Sequence, residues 1–145
     1  MQRFQFPLDR VRRWRVGQAM LEERKLEQMR ENLQALREEK QNIASERSRN
    51  EREVLGQPAV EAAQLQSLDA YRLHTRGKIR DIENRERQAE VEVQQQRQQV
   101  IEARRSAELL ERLLQKARDI WQAASDRERE SFAAELYLGQ WRRRR

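Results

Sequence analysis

Cysteine is absent from the 145 residues, and histidine occurs once, as His74. Disulfides and a thiol nucleophile are therefore excluded, and neither a Cys/His metal cluster nor a Ser/His/Asp set can be built without that single imidazole. A reducing compartment is the natural setting for such a chain. Glycine (4 residues) and proline (2) are scarce, and no Gly-rich phosphate loop occurs. No run approaches the roughly 18 apolar residues of a membrane span, and there is no secretory apolar segment. Carboxylates are plentiful, but on exposed helix faces they lack a cleft that would shift their pKa values. The chain is thus expected to be a non-enzymatic cytoplasmic protein with no cofactor, no metal and no small-molecule substrate.

What remains is charge and periodicity. Charged residues make up 39% of the chain, hydrophobic ones 37% and aromatics 6%. That is too polar for an ordinary globular core and too periodic for disorder. Glu, Arg, Gln, Ala and Leu dominate, as in long helices. The net charge is +6, but 31 basic and 25 acidic residues alternate along the chain. Interspersed signs describe a solvated coiled-coil face better than a phosphate-binding stripe, so nucleic acid is not an expected partner.

The longest ordered pattern is a heptad seam from Leu65 to Ala124. Its a and d positions are Leu65, Leu68, Arg72, Thr75, Ile79, Ile82, Glu86, Ala89, Val93, Gln96, Val100, Ala103, Ala107, Leu110, Leu114, Ala117, Trp121 and Ala124. Fourteen of these eighteen are apolar. A 3.5-residue repeat held this long marks a supercoiled helix with a partner along one side. A second, weaker seam has Ala19, Leu26, Leu33, Lys40, Arg47 and Val54 at a, and Glu22, Met29, Leu36, Ile43 and Asn50 at d. Upstream of it, Leu8, Val11, Trp14, Val16, Met20 and Leu21 share no single phase, which suggests a stutter.

Gly56-Gln57-Pro58 is the one Gly/Pro break between the seams, with Gly suited to a helix end and Pro to the next helix start. The expected fold is all-α: a long two-helix antiparallel coiled-coil hairpin forming a single elongated unit over residues 1–145. Helix 1 would run from about 8 to 55, the turn over 56–58, helix 2 from about 59 to 138, and a basic tail over 139–145. Folding at the turn sets Leu33 against Ile82, Leu36 against Ile79 and Leu26 against Ala89, a layers meeting d layers. Mixed layers pair Ile43 with Arg72, Met29 with Glu86 and Arg47 with Leu68. Leu8 falls opposite Ala107, so the longer second helix overhangs at the end where the termini meet. Gly77 falls at an exposed position of that helix.

The overhang is the most apolar part of the chain. Leu109, Leu110, Leu113, Leu114, Ile120, Trp121, Phe132, Leu136, Tyr137, Leu138 and Trp141 lie there. The lead-in Phe4-Gln5-Phe6 reaches about two turns of it. A lone helix with that surface calls for another protein, a second copy or a membrane surface. The Arg142–Arg145 run is shorter than basic nucleic-acid motifs and reads as a solvated terminus. Tyr71, Leu73 and His74 off the seam mark a second candidate contact patch.

The opening Phe4-x-Phe6-x-Leu8-x-x-Val11, followed by a charged hairpin of this length, resembles the flagellar export protein FliJ family. Glu111-Arg112-Leu113 leading to Glu128-Arg129-Glu130 and Glu135 also looks like that family's last helix. Members often carry an acidic pair near the end of that helix; this chain has Ala133-Ala134-Glu135. The resemblance implies a rotor-stalk-like component of the bacterial flagellar type III protein export apparatus, cytoplasmic and peripheral at the inner membrane. It implies binding of the hexameric export ATPase, an export gate membrane protein and export chaperones. Phe4, Phe6, Leu8, Val11, Leu109, Leu113, Ile120, Phe132, Leu136, Tyr137 and Trp141 would form the end inserted in the ATPase, and Tyr71 and His74 would face gate or chaperone. An equivalent stalk of a virulence type III secretion system and a self-associating structural coiled coil are the alternatives.

Overall fold

A computed structural model describes residues 3–143, in which two helices account for nearly the whole chain. Helix α1 is Asp9–Leu55 and helix α2, the longer, is Ala62–Arg143. Contacts group the chain into two units: Leu21–Val100, and Met1–Met20 with Ile101–Arg145. Among the described residues no helix is long and apolar enough to cross a membrane.

Helix α1 begins where Pro7 stops blocking helical backbone, with Asp9 in the first turn where its charge complements the helix dipole. It ends at Gly56, whose N–H bonds the Arg52 carbonyl at 2.9 Å. The expected left-handed cap is not used, since no described glycine has positive φ. Gly56 is needed for room instead: an added Cβ would lie 2.8 Å from the Arg52 carbonyl oxygen.

The connection spans residues 56–61, three longer than expected, and Pro58 does not open α2. The side chain of Gln64 caps it. The Glu61 N–H donates to Gln64 Oε1 at 3.0 Å, while the Glu61 carbonyl accepts from the N–H groups of Gln64 and Leu65 as the helix begins. This is one half of a capping box, the side chain at N3 returning to the N-cap N–H, without a Ser or Thr at the N-cap to give the usual sequence signature. Helix α2 also runs on through Arg143, past the expected end at 138; Arg144 and Arg145 of the expected tail lie outside the described residues.

Within Leu21–Val100 the two helices form an antiparallel hairpin. Leu26, Leu33, Leu36, Ile82, Ala89, Val93 and Val100 make one buried cluster, with Met29 and Ile43 packed against it. Burying each Leu or Ile from water contributes about 1.5–3 kcal/mol. The polar seam positions are satisfied in place. The buried Thr75 hydroxyl donates to the carbonyls of Tyr71 (2.9 Å) and Arg72 (3.1 Å) of its own helix. The Gln96 amide donates to the Glu22 carbonyl (3.0 Å) and carboxylate (2.5 Å). Glu86 accepts from Lys40 Nζ (2.6 Å) and Arg37 Nε (3.1 Å).

These contacts correct the pairing. Glu86 meets Lys40 and Arg37, not Met29; Arg72 meets Glu51 at 2.9 Å, not Ile43; and Arg47 turns to Glu51 of its own helix at 3.1 Å. Partners on α2 lie roughly a heptad further along than folding at 56–58 requires. Sliding an antiparallel pair by one heptad again sets a against d, so the apolar pattern cannot distinguish the two registers.

Candidate partner-binding surface

In the unit of residues 1–20 and 101–145, the lead-in and the first turns of α1 lie beside α2. Residues 3–8 are non-helical, and the Phe6 carbonyl accepts the Asp9 N–H at 3.1 Å. The Asp9 carboxylate then accepts from Arg12 Nε (3.0 Å) and Nη2 (2.9 Å) and from Arg13 Nη2 (2.6 Å). Arg12 uses its remaining nitrogen, Nη1, to reach Glu111 on α2 at 2.7 Å. The Arg12 hydrogen bonds hold the Asp9 carboxyl below its ordinary pKa, with Arg13 adding to the effect. Glu111, followed by Asp9, holds the Arg12 guanidinium further in its charged form. This cluster clamps the start of α1 against α2 while the lead-in continues along it.

The Phe4 ring meets the Trp121 ring edge to face, with centroids 5.9 Å apart and planes at 61°. Phe4 and Phe6 are half-buried, and Leu114 lines the same hollow as both. Cover on α2 therefore extends to Trp121, further past Ala107 than the two turns expected of the lead-in. Ala107 and Leu114 are buried, and Trp121 is half-buried. The next covered position is Ser125, not Ala124. A step of four replaces the heptad's three because a helix beside an extended segment has no supercoiling partner and drifts back toward 3.6 residues per turn.

Beyond Ser125 every described residue of α2 is exposed. Phe132 (62%), Leu136, Tyr137 (69%), Leu138 and Trp141 (52%) stand in water along this stretch. Nearer the clamp, Leu109, Leu113 and Ile120 are exposed as well, as are Leu8 and Val11 on the other segment. Of the apolar residues on the two segments, Phe4, Phe6, Leu110, Leu114 and Trp121 are buried or half-buried, while Leu8, Val11, Leu109 and Leu113 are not. Trp14, not among the expected site residues, is exposed on the same unit with the Arg15 guanidinium 4.8 Å from its ring centre. Its lack of phase with either seam was the signal that could have found it.

Charge is as unevenly spread as apolar surface. Residues 1–20 and 101–145 hold 16 of the 31 basic and 9 of the 25 acidic side chains; residues 21–100 hold the other 15 and 16. The net charge is thus +7 in the first unit and −1 in the second. An exposed apolar surface on a cationic unit is equipped to bind an apolar partner rimmed with acid.

The second expected patch divides. Tyr71 is half-buried, its hydroxyl accepts from Asn50 Nδ2 at 3.0 Å, and it lines a shallow groove of about 420 Å³ with Val54, Ala63 and Leu68. His74 and Leu73 are exposed. Among the described residues no three His, Asp or Glu side chains gather as a metal site. No family model, no curated protein and no solved structure matches this chain.

Proposed function

We propose that the protein is a non-catalytic stalk and adaptor of the bacterial flagellar type III export apparatus, working at the cytoplasmic face of the inner membrane. Its partners on this reading are the hexameric export ATPase, bound through the unit of residues 1–20 and 101–145, the membrane export gate and export chaperones. The observation that carries it is the exposed apolar set Leu109, Leu113 and Ile120 near the Arg12–Glu111 clamp, on the cationic unit. The Phe4-x-Phe6-x-Leu8-x-x-Val11 resemblance supplies the family. The Arg12–Glu111 bond and the Phe4–Trp121 contact support it by giving that motif a structural role. A stalk of this kind acts by binding one state of the ATPase better than another. The +7 charge speaks against self-association through the same surface.

The test is co-purification of the full chain with the flagellar export ATPase. Leu109→Asp with Leu113→Asp places charge on two exposed positions, so the fold should survive while binding and motility are lost. Retention of both would refute the assignment. Capture of a virulence-type export ATPase in preference to the flagellar one would move the protein to that system.

A further inference from the structure

We infer that the end of α2, Phe132–Arg143 with the two arginines that follow, is an in-plane anchor for an anionic lipid surface. This goes beyond the export reading and uses none of its protein partners.

Three observations carry it. First, every described residue of α2 after Ser125 is exposed. Secondly, its side chains are of interfacial type. At 100° per residue, Phe132, Leu136, Tyr137, Trp141 and Leu138 fall in that order around about 240° of the helix, with Arg143, Gln140, Ala133 and Ala134 between them. Glu135, Gly139 and Arg142 occupy the remaining arc. Tyr and Trp place a ring in the apolar layer and a polar edge among headgroups. Thirdly, charge follows directly: Arg142–Arg145 are consecutive, and Glu135 is the one acid from 131 to 145. Four or more basic residues adjoining an amphipathic helix are the pattern that attracts acidic phospholipid.

The apolar content is too low for a span, which leaves the helix lying in the interface. A second copy is disfavoured, since pairing these segments would bring two arginine runs and two units of +7 charge together. An acidic protein groove would satisfy the arginines. However, it would have to enclose two-thirds of a helix circumference, which an interface does without a preformed site.

The experiment is co-sedimentation of the purified full chain with vesicles of phosphatidylcholine alone and with vesicles one-third phosphatidylglycerol. Partition into the anionic vesicles is expected, with little into the neutral ones. Replacing Arg142–Arg145 by Gln should weaken it about a hundredfold or more, and Tyr137→Ser with Trp141→Ser at least tenfold. In a Trp14→Phe, Trp121→Phe background, acyl-brominated lipid should quench Trp141. Of the described positions changed, Trp121 is half-buried and the others are exposed, and circular dichroism checks that helix content is kept. Equal binding to neutral vesicles, no binding to anionic ones, or an unquenched Trp141 would each overturn the inference. So would retention by immobilised polyglutamate together with indifference to anionic vesicles, which would assign the arginines to a protein partner.

Discussion

Ile82 offers the sharpest test of the packing. It is the largest fully enclosed side chain of the Leu21–Val100 unit, 2% exposed within the seam. Ile82→Ala removes three carbons, worth about 2.4 kcal/mol of transfer free energy at ~0.8 kcal/mol each. A cavity term adds to this where neighbours fail to close in, so the total should be about 3 kcal/mol, within the 2–5 kcal/mol usual for such truncations. At roughly 0.1 kcal/mol per residue, a unit of this size holds about 8 kcal/mol, so the loss is a large fraction. Urea unfolding of the full chain, followed by far-ultraviolet circular dichroism, measures it as a shift in midpoint at constant slope. Leu73→Ala, on the same helix but 70% exposed, should change stability by less than about 0.5 kcal/mol. If Ile82→Ala cost under ~1 kcal/mol, or no more than Leu73→Ala, the layer would not be close-packed and the seam argument would fail.

Three other outcomes follow from local geometry. Gly77→Ala should stabilise α2 by up to about 1 kcal/mol, because a Cβ there meets nothing within 4 Å. Gly56→Ala should destabilise, since its Cβ would crowd the Arg52 carbonyl; paired thermal melts show both signs. Gln64→Ala should cost roughly 0.5–1 kcal/mol and fray the start of α2, detectable as faster amide exchange over residues 62–66. On acidification, stability should fall. Glu86 is held below its ordinary pKa by Lys40 and then Arg37, Glu51 by Arg72 and Arg47, and Glu22 by Gln96 and Lys25. A carboxyl whose pKa is lower in the folded state stabilises fully above its unfolded value, near 4.5, and loses that contribution as pH falls below it. The melting temperature should therefore drop below about pH 4.5, less steeply in Glu86→Gln; a flat profile would refute the ion-pair assignments.

The seam itself was legible because apolar spacing reports directly which helix face is covered. Sixteen of its eighteen positions are buried or half-buried, Leu65 and Ala124 excepted. The pairing was not legible. Layers such as Leu33, Leu36, Ile79 and Ile82 are interchangeable in size and polarity, so apolar spacing alone cannot choose between registers a heptad apart. Cover by Phe4 was underestimated for a related reason: an extended segment advances about 3.3 Å per residue against 1.5 Å for a helix, so few residues protect a long stretch of α2. Leu109 and Leu113 fall off the seam in the sequence, but only coordinates could show that they stay exposed beside the lead-in.

Interchangeable apolar layers have a mechanical consequence. If hydrophobic contact alone held Leu21–Val100 together, α2 could slide along α1 in heptad steps at little loss of free energy, and the hairpin would have several lengths. Gln96 and Glu86 remove that freedom. In the register that sets Met29 opposite Glu86, Leu33 takes the place of Lys40 and Arg30 that of Arg37, so the carboxylate keeps one cation of two, and the Gln96 amide leaves Glu22. Removing a partner from such a group costs about 1–3 kcal/mol, so the two polar positions act as a latch on a track that is otherwise evenly stepped. A variant with both made apolar, Glu86→Leu and Gln96→Leu, should gain stability while losing a single defined length.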